Sequence, residues 1–395
     1  MVRELIIGLY LIFFKLQFNF FKLFPLQDKV TFVVSFKQNN LYIYEELKRR
    51  DVASKIVFLS KNPQSIKGQV DNATVLAFET KDIISFIRSI YHLATSRTVF
   101  VDNYYGFLSA VLFKDDVECI QLWHAAGAIK AFGLKDQSNA SRSARAQMRF
   151  KKVYNNFHKV VVGSDAFANI LMEAFDLSED RILRTGMPRT DFFYDFEAHK
   201  SIRANLYRTN PSLKNKKVIL YAPTYRDGQL NHFDMKLDLE LLQKQLKDEY
   251  VVIVKLHPAI RADNDFDRQY PNFVYDYSDY SDINHLLLIT DLLITDYSSI
   301  PYEFSILGKP MIFFSYDLEQ YKTDRGIWKD YEEMLPGPVV YNTEDIIACI
   351  NDDHFDLKKI RDFARTWNRY STGKSSRNLV SYLYKQEEQF KVSHG

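Results

Sequence analysis

Two histidines stand directly after predicted strands, where a side chain can reach a bound ligand. His124 lies in the segment WHAAGA (residues 123–128), and His257 lies in the segment KLHP (residues 255–258). An imidazole titrates near neutral pH, so it can take or give a proton in a reaction. One such histidine in each half of the chain favours two catalytic groups of one site. For His124 alone, a ring satisfied by a local carbonyl group remains the alternative.

A pair of serines follows another predicted strand in the segment TDYSS (residues 295–299). Ser298 or Ser299 would cap the next helix, and Pro301 fits the first turn of that helix. Two hydroxyl groups at a helix N-terminus also suit phosphate oxygens. Because one serine is enough for a cap, the pair favours a phosphate site, and capping alone remains the alternative.

Three arginines lie in turn or loop motifs. Arg189 belongs to GMPRTD (residues 186–191), Arg226 to APTYRD (residues 222–227), and Arg325 precedes a glycine. A guanidinium group binds anions well, so each is a candidate for holding an anionic ligand. For any one of them, a surface salt bridge is the alternative.

A basic segment follows His124 closely in the sequence. A solvated helix face is the common meaning of such a run, but its position near His124 favours an anionic lipid surface or a lipid pyrophosphate. Nucleic acid is less favoured because few aromatic residues are interleaved. The segment contains the acidic residue Asp136 and the following basic residues: Lys130, Lys135, Arg142, Arg145, Arg149, Lys151, Lys152 and Lys159.

The elements that position these motifs are short apolar runs alternating with helical stretches, in two series. Such continuous runs are typical of parallel strands buried on both faces. Each half is therefore predicted to form an open α/β sheet, with ligands at the carboxyl ends of the strands and a cleft between the halves. The predicted strands are Lys29–Phe36, Lys55–Ser60, Ala73–Phe78, Thr98–Asn103, Glu118–Trp123, Lys159–Gly163, Ile182–Thr185, Lys217–Tyr221, Tyr250–Leu256, Asn272–Tyr275, Leu292–Thr295, Met311–Ser315 and Val339–Tyr341.

The first 25 residues are strongly apolar but carry ordered polar positions. The charge-free apolar run covers only residues 5–14, whereas a spanning helix needs about 20 such residues. An amphipathic helix lying in a membrane interface is therefore predicted, ending at Pro25. A helix packed on the protein's own core is the alternative, and a signal anchor is less favoured. At about 100° per residue the polar positions form one stripe: Glu4, Gly8, Lys15, Asn19 and Lys22.

The composition limits the classes of protein that fit. The 395 residues suggest two or three domains. The net charge of +2 differs from that of a strongly basic nucleic-acid binder. Cys119 and Cys349 form no CxxC pair, so neither a zinc site nor a disulfide framework is predicted, and a reducing cytoplasm fits best. The chain also lacks the common phosphate-loop and dinucleotide motifs, and no metal or cofactor is predicted.

A polar stretch at residues 195–216 marks the predicted domain boundary. The expected division is residues 1–25 as the membrane-associating helix, 26–200 and 201–355 as two Rossmann-like domains, and 356–395 as C-terminal helices. In this division the last helices can cross back to the first domain.

Several long motifs in the second half closely resemble the CDP-glycerol glycerophosphotransferases of teichoic acid synthesis. The resemblance covers most of residues 118–345, and the GMPRTD turn and the WH loop fit it as well. Polymerases and later-acting enzymes of that family usually have WHGTPLK at the first histidine, whereas WHAAGAIKAFG in this chain resembles the primase branch. The motifs are YAPTYRD, KLHP, TDYSSIPYEFSILGKPMIFFSYDLEQY and RGIWKDYEEMLPGPVV.

The resemblance implies a GT-B fold and a peripheral enzyme on the cytoplasmic face of the bacterial cell membrane. It implies transfer of one glycerol phosphate from CDP-glycerol to the ManNAc of ManNAc-GlcNAc-diphospho-undecaprenol, with release of CMP. The implied partners are CDP-glycerol, this lipid-linked disaccharide and an anionic membrane surface, not nucleic acid. The alternatives are a later glycerol-phosphate or ribitol-phosphate transferase or polymerase, a GT-B nucleotide-sugar glycosyltransferase, and a scaffold without catalytic activity.

The resemblance also implies roles for the motif residues. His124 is the expected general base, and His257 is expected to stabilise charge on the diphosphate. Arg189 and Arg226 would add positive charge, and Arg325 would face the glycerol phosphate. The expected substrate-binding residues are Arg189, Thr224, Arg226, Pro258, Thr295, Asp296, Ser298, Ser299 and Arg325.

Overall fold

The computed structural model describes residues 2–226, 233–260, 265–328 and 331–394. Asp227 of the APTYRD motif lies outside these residues. The chain divides into two compact units. Unit 1 comprises Met1–Ala126, Phe132–Asp191 and Arg369–Gly395, and unit 2 comprises Gly127–Ala131 and Phe192–Asn368. The division after Asp191 precedes the predicted boundary at residues 200 and 201, and residues 127–131 belong to unit 2.

Both units contain a parallel sheet, so the predicted α/β class is confirmed. Among the described residues, unit 1 has seven strands in the order β3-β2-β1-β4-β5-β6-β7, and unit 2 has six in the order β10-β9-β8-β11-β12-β13. Every predicted strand is present, with ends that shift by a few residues. The strands are β1 (Gln27–Val34), β2 (Lys55–Ser60), β3 (Thr74–Ala77), β4 (Ser96–Val101), β5 (Glu118–Gln121), β6 (Lys159–Val161), β7 (Ile182–Leu183), β8 (Lys217–Ala222), β9 (Tyr250–Val254), β10 (Val274–Asp276), β11 (Leu292–Thr295), β12 (Met311–Phe314) and β13 (Val339–Val340).

Helices connect successive strands, as parallel pairing requires. The helices are α1 (Val2–Phe21), α2 (Lys37–Arg49), α3 (Gln64–Lys67), α4 (Ile83–Thr95), α5 (Ala144–Asn155), α6 (Asp165–Phe175), α7 (Phe196–Thr209), α8 (Ser212–Asn215), α9 (Leu239–Leu246), α10 (Phe266–Gln269), α11 (Ile283–Ile289), α12 (Ile300–Phe304), α13 (Leu318–Arg325), α14 (Tyr331–Met334), α15 (Thr343–Asp352), α16 (Leu357–Trp367) and α17 (Ser375–His394).

The strand order places a switch point in the middle of each sheet. In unit 1, β1 pairs with β2 on one side and with β4 on the other, and in unit 2, β8 lies between β9 and β11. The connections leave these central strands in opposite directions, which opens a crevice at their carboxyl ends. An in-register aromatic row holds the centre of the first sheet, since Phe32 stacks on Phe58 and Phe100 at 4.8 and 5.0 Å. The site motifs follow these strands.

Helix α1 packs one face on unit 1. Phe14 and Phe18 are fully buried, and Phe14 contacts the rings of Phe78, Phe86 and Phe107. The prediction of a helix is confirmed, and its alternative interpretation, packing on the protein's own core, describes this face.

The opposite face of α1 is exposed and apolar. By length and composition, Arg3–Phe21 could cross a membrane. Membrane contact through this face stays a prediction. The apolar side chains of the face, all more than half exposed, are Leu5, Ile6, Leu9, Ile12, Leu16 and Phe20.

The C-terminal helices are divided between the units. Helix α16 belongs to unit 2, whereas α17 belongs to unit 1. Asp191 of the GMPRTD turn accepts the backbone N–H groups of Ser375 and Ser376 at the start of α17, both at 2.8 Å. Gly186 has a φ of 87°, and a Cβ there would lie 2.4 Å from the carbonyl oxygen of Tyr370. The turn therefore accommodates the returning chain only as glycine.

Two substitutions in α1 separate its packed face from its exposed face. Phe14→Ala removes a fully buried ring, so we expect the free energy of unfolding to fall by about 3–5 kcal/mol. Leu16→Ala is the matched control because Leu16 is 64% exposed, and its effect in solution should stay within about 0.5 kcal/mol. Urea unfolding of the full chain measures both. Equal losses would contradict the assignment of faces.

Candidate active site

His124 is held at the carboxyl end of the first sheet in a strained aromatic loop. Its Nδ1 lies 3.2 Å from the backbone carbonyl oxygen of Asp102. The rings of Phe36 and Trp123 both stack on the imidazole at 4.4 Å. Trp123 adopts a φ of 53°, which is costly for a bulky residue and is often found at functional sites. The local carbonyl that the sequence analysis gave as the alternative is therefore present, and it contacts Nδ1.

Asp102 organises the loops around His124. This buried carboxylate follows β4 and accepts the backbone N–H groups of Ser35 and Phe36 at 2.8–3.0 Å. It also accepts bonds from Asn40 and Tyr105, both at 2.8 Å. Burial raises the pKa of Asp102 to about 6, and the bonds that it accepts oppose that rise. The same residue thus positions Phe36 through its side chain and His124 through its carbonyl.

Asn39 and Arg189 fix the loop from a second side. The Asn39 amide donates to the carbonyl of Trp123 at 3.0 Å and accepts the backbone N–H of Arg189 at 2.9 Å. The Arg189 guanidinium donates to the carbonyl of His124 at 2.7 Å. The structure thus brings the predicted residues Arg189 and His124 together. In this geometry Arg189 positions the histidine loop.

His257 lies after β9 in unit 2 and is held in a defined orientation. Its Nδ1 accepts the backbone N–H of Ala259 at 3.1 Å, and its ring contacts Tyr225 at 4.7 Å. Partial burial lowers the pKa of His257, and the charges of Lys130 and Lys255 lower it further. The imidazole is therefore neutral at neutral pH and lies in a positive field that suits phosphate groups.

The two histidines have opposite tautomers, because their Nδ1 atoms face opposite kinds of partner. A carbonyl only accepts, so Nδ1 of His124 carries the proton and the lone pair lies on Nε2. An N–H group only donates, so Nδ1 of His257 holds the lone pair and Nε2 carries the proton. His124 is thereby prepared to take a proton, and His257 to donate a hydrogen bond.

The residues that follow the first histidine motif are built into unit 2. Ala131 donates its N–H to the carbonyl of Gly326 at 3.2 Å, and Trp328 donates its N–H to the carbonyl of Ile129 at 3.1 Å. A Cβ on Gly127 would lie 2.5 Å from the ring of Tyr302. This pairing places Lys130 near enough to His257 for its charge to lower the pKa of the imidazole.

Arg226 is bound by acidic residues of its own unit. Its guanidinium forms a two-bond pair with Asp317 at 2.7 and 2.9 Å and also contacts Asp296 at 3.1 Å. The rings of Tyr297 and Tyr321 lie about 5 Å from it. Arg226 is thus paired with two carboxylates, and its contribution of positive charge to a ligand stays a prediction. It holds the loops after β8, β11 and β12 together.

Asp296 and Thr295 also serve the framework. Asp296 is buried and accepts the backbone N–H of Thr224 at 2.8 Å. The Thr295 hydroxyl donates to the carbonyl of Ala222 at 2.6 Å. These bonds make both residues part of the framework of the loops, and the substrate contacts expected for them stay a prediction.

The remaining predicted residues lie at or near the same edge of the second sheet. The Thr224 hydroxyl is buried without a hydrogen-bond partner among the described residues. Ser298 accepts the N–H of Ile300 at 3.2 Å, so it performs the capping role, whereas Ser299 makes no side-chain cap bond. Helix α12 is short, so any phosphate contact there would depend on the serine hydroxyls. Pro258 is exposed beside His257, and the half-buried Arg325 ends α13.

Sequence reasoning missed several positioning residues. Asp102 ends a predicted strand, so a carboxylate after a buried apolar run was an available signal. Asn39, Phe36 and Asp317 carry no local signal, because each acts on a residue far away in the sequence. Among the described residues, no group of three or more His, Cys, Asp or Glu side chains could hold a metal ion.

Comparisons with known proteins decide the family. The model of the CDP-Glycerol:Poly(glycerophosphate) glycerophosphotransferase family matches residues 16–385. The chain belongs to the CDP-glycerol glycerophosphotransferase family. The predicted resemblance is thereby confirmed, and so are its enzyme class and its place in teichoic acid synthesis.

Two curated relatives of this glycerophosphotransferase differ in length. The teichoic acid glycerol-phosphate primase of Bacillus subtilis (strain 168) is 36% identical over 384 residues, which cover 97% of this chain and 98% of the primase. The teichoic acid poly(ribitol-phosphate) polymerase of Bacillus spizizenii is 34% identical, over 95% of this chain but only 60% of the polymerase.

A solved structure supports the fold. The wall teichoic acid polymerase TagF matches with a TM-score of 0.78 and 24% identity, over 98% of this chain and 99% of that chain. The predicted GT-B class with two Rossmann-like units is thereby confirmed for the glycerophosphotransferase.

Asp102→Asn tests the positioning of His124. The amide replaces one acceptor oxygen by a donor that faces the N–H groups of Ser35 and Phe36, so the loop should shift and kcat should fall about 100-fold. The KM for CDP-glycerol should change little. Steady-state transfer assays measure both constants, and circular dichroism verifies the fold. Asp116→Asn, at an exposed position of unit 1, is the control. An unchanged kcat in folded Asp102→Asn protein would refute this role.

Proposed function

We propose that this glycerophosphotransferase adds one glycerol phosphate from CDP-glycerol to the ManNAc of ManNAc-GlcNAc-diphospho-undecaprenol, with release of CMP. The observation that carries the catalytic part is the pair of opposite histidine tautomers. With Nδ1 facing a carbonyl, the neutral His124 ring has its lone pair on Nε2, whereas the His257 ring carries its proton on Nε2. A base for a hydroxyl and a donor for a phosphate are what such a transfer needs.

The proposed reaction is an in-line displacement at phosphorus. Nε2 of His124 takes the proton of the acceptor hydroxyl as its oxygen attacks the phosphorus that carries glycerol. A new oxygen–phosphorus bond forms, and the bond between that phosphorus and the bridging oxygen of the diphosphate breaks. CMP leaves with the bridging oxygen. His257 donates a hydrogen bond to the diphosphate, where negative charge increases during the reaction.

Positive charge around the donor comes from lysines in this proposal. Lys130 and Lys255 act on His257, as the lowered pKa of its imidazole indicates. They take the role that the sequence gave to Arg226, whose charge is used by Asp296 and Asp317. Thr224, Ser298 and Ser299 supply hydroxyl groups near the phosphates, and Arg325 contacts the glycerol phosphate. Pro258 shapes the exit of the His257 loop, and Arg189 supports His124.

The primase assignment rests on the WHAAGA loop and on the 36% identity to the B. subtilis primase. The chain spans almost the whole length of the B. subtilis primase. The second candidate is transfer of ribitol phosphate, which the 34% identity to a poly(ribitol-phosphate) polymerase favours. Enzymes that use nucleotide sugars share this fold, so glycosyl transfer from a nucleotide sugar is a further function to be tested.

We further propose that the enzyme works on the cytoplasmic side of the cell membrane. An acceptor on a polyprenyl lipid is presented at a bilayer surface. The exposed apolar face of α1 suits that surface, and basic residues of α5 lie beside it. The helix is then peripheral, since Phe14 and Phe18 tie its other face to unit 1.

His124→Ala should lower turnover about 10²- to 10⁴-fold, because the acceptor hydroxyl loses its base. The dissociation constant for CDP-glycerol should stay unchanged. Single-turnover transfer and calorimetric titration measure the two quantities. His354→Ala, at an exposed site of unit 2, is the control. Near-normal turnover in His124→Ala would rule out the base assignment.

Mass spectrometry of the lipid product distinguishes the candidate functions. When the enzyme is incubated with CDP-glycerol and the lipid-linked disaccharide, the mass of the lipid should increase by one glycerol phosphate. Products that carry two or more units should not form. A series of products would indicate a polymerase. A gain only with CDP-ribitol or with a UDP-sugar would keep the fold and overturn the proposed donor.

A further inference from the structure

A basic cavity lies beside α1 in unit 1 and takes no part in the proposed reaction. It has a volume of about 290 Å³ and is bounded by α1, α5 and the short helical segment Gly106–Ala110. Its lining includes Lys15, Ser109, Arg145, Arg149 and Lys152. The volume is at the lower end for a small-molecule site and fits one compact polar group.

The protein pairs only one of the four cations that line the cavity with an acidic side chain among the described residues. Arg149 pairs with Glu4 at 2.8 Å. Lys15, Arg145 and Lys152 make no ion pair or side-chain hydrogen bond with the described residues. Arg145, Arg149 and Lys152 are spaced four and three residues apart, so one face of α5 presents all three cations. An anion with several oxygens would satisfy this arrangement.

Apolar side chains continue from the cavity onto the exposed surface. Ile12 and Met148 line the cavity, and both are 59% exposed. Ile12 belongs to the exposed apolar face of α1, so the polar cavity and this face meet at one edge. Such an edge matches the boundary between phosphate groups and acyl chains in a bilayer. Exposed apolar surface of this extent in a soluble chain marks an interaction site.

We propose that this cavity binds the phosphate headgroup of an anionic phospholipid while the acyl chains of that lipid lie along the exposed face of α1. The inference rests on the proposed membrane function and makes it specific. The cations hold the phosphate oxygens. The headgroup then sets the depth and rotation of α1 in the interface, so unit 1 adopts one orientation on the membrane.

The test compares two neighbouring lysines of α5. Lys152 lines the cavity, whereas Lys151 does not, although both side chains are exposed on the same helix. The full chain is sedimented with vesicles of pure phosphatidylcholine or of equimolar phosphatidylcholine and phosphatidylglycerol. Lys152→Gln should weaken binding to the mixed vesicles about five-fold, and Arg145→Gln with Lys152→Gln about thirty-fold, since each charge near an anionic surface contributes a similar factor. Lys151→Gln should bind nearly as the parent chain does.

Each other outcome overturns a distinct claim. Equal losses in Lys151→Gln and Lys152→Gln would replace the cavity by diffuse attraction and leave membrane binding intact. Failure of the parent chain to bind either vesicle would overturn the membrane proposal itself. Binding of inorganic phosphate that the double variant loses, together with vesicle binding that neither substitution weakens, would assign the cavity to free phosphate instead of a lipid. CDP-glycerol binding should be the same in all variants and serves as the control for folding.

Discussion

The buried carboxylate of Asp102 is the interaction on which the first half of the candidate site depends. Placing an ionisable group out of water is costly unless hydrogen bonds compensate it, and here the compensation comes from the loop after β1, from α2 and from Tyr105. Because these groups all converge on one carboxylate, the loops after β1 and β4 have one relative arrangement. The carbonyl of the same residue then selects the tautomer of His124.

Unit 2 uses a similar device at its own switch point. Asp296 follows β11, which neighbours the central strand β8, as Asp102 follows β4 beside β1. Asp296 accepts the backbone N–H of Thr224 after β8, as Asp102 accepts those after β1. The difference lies in charge: Arg226 pairs with Asp296, whereas neutral groups and N–H donors surround Asp102. In both sheets a buried carboxylate thus fixes the loop that follows the central strand.

The surface of unit 1 shows a second constraint, which acts through α1. A helix with apolar side chains around most of its circumference cannot bury all of them by packing on one surface of the protein. Phe14 and Phe18 are buried in the core of unit 1. The polar stripe with Lys15 and Glu4 separates them from the exposed apolar face. The basic face of α5 lies next to this stripe. The proposed base His124 and the proposed lipid-binding face would therefore belong to the same unit.

The sequence by itself determined the elements and the family. Parallel strands buried on both faces leave continuous apolar runs, and chemistry at their carboxyl ends leaves His124 and His257 directly after such runs. Only the tertiary structure decided which polar residues bind other parts of the protein. Asp102 bonds residues 62–67 positions away, and Arg226 bonds Asp317 91 positions away, so no local spacing reveals them. It also decided which face of α1 is buried, because that depends on Phe78, Phe86 and Phe107, which the chain brings back only on folding.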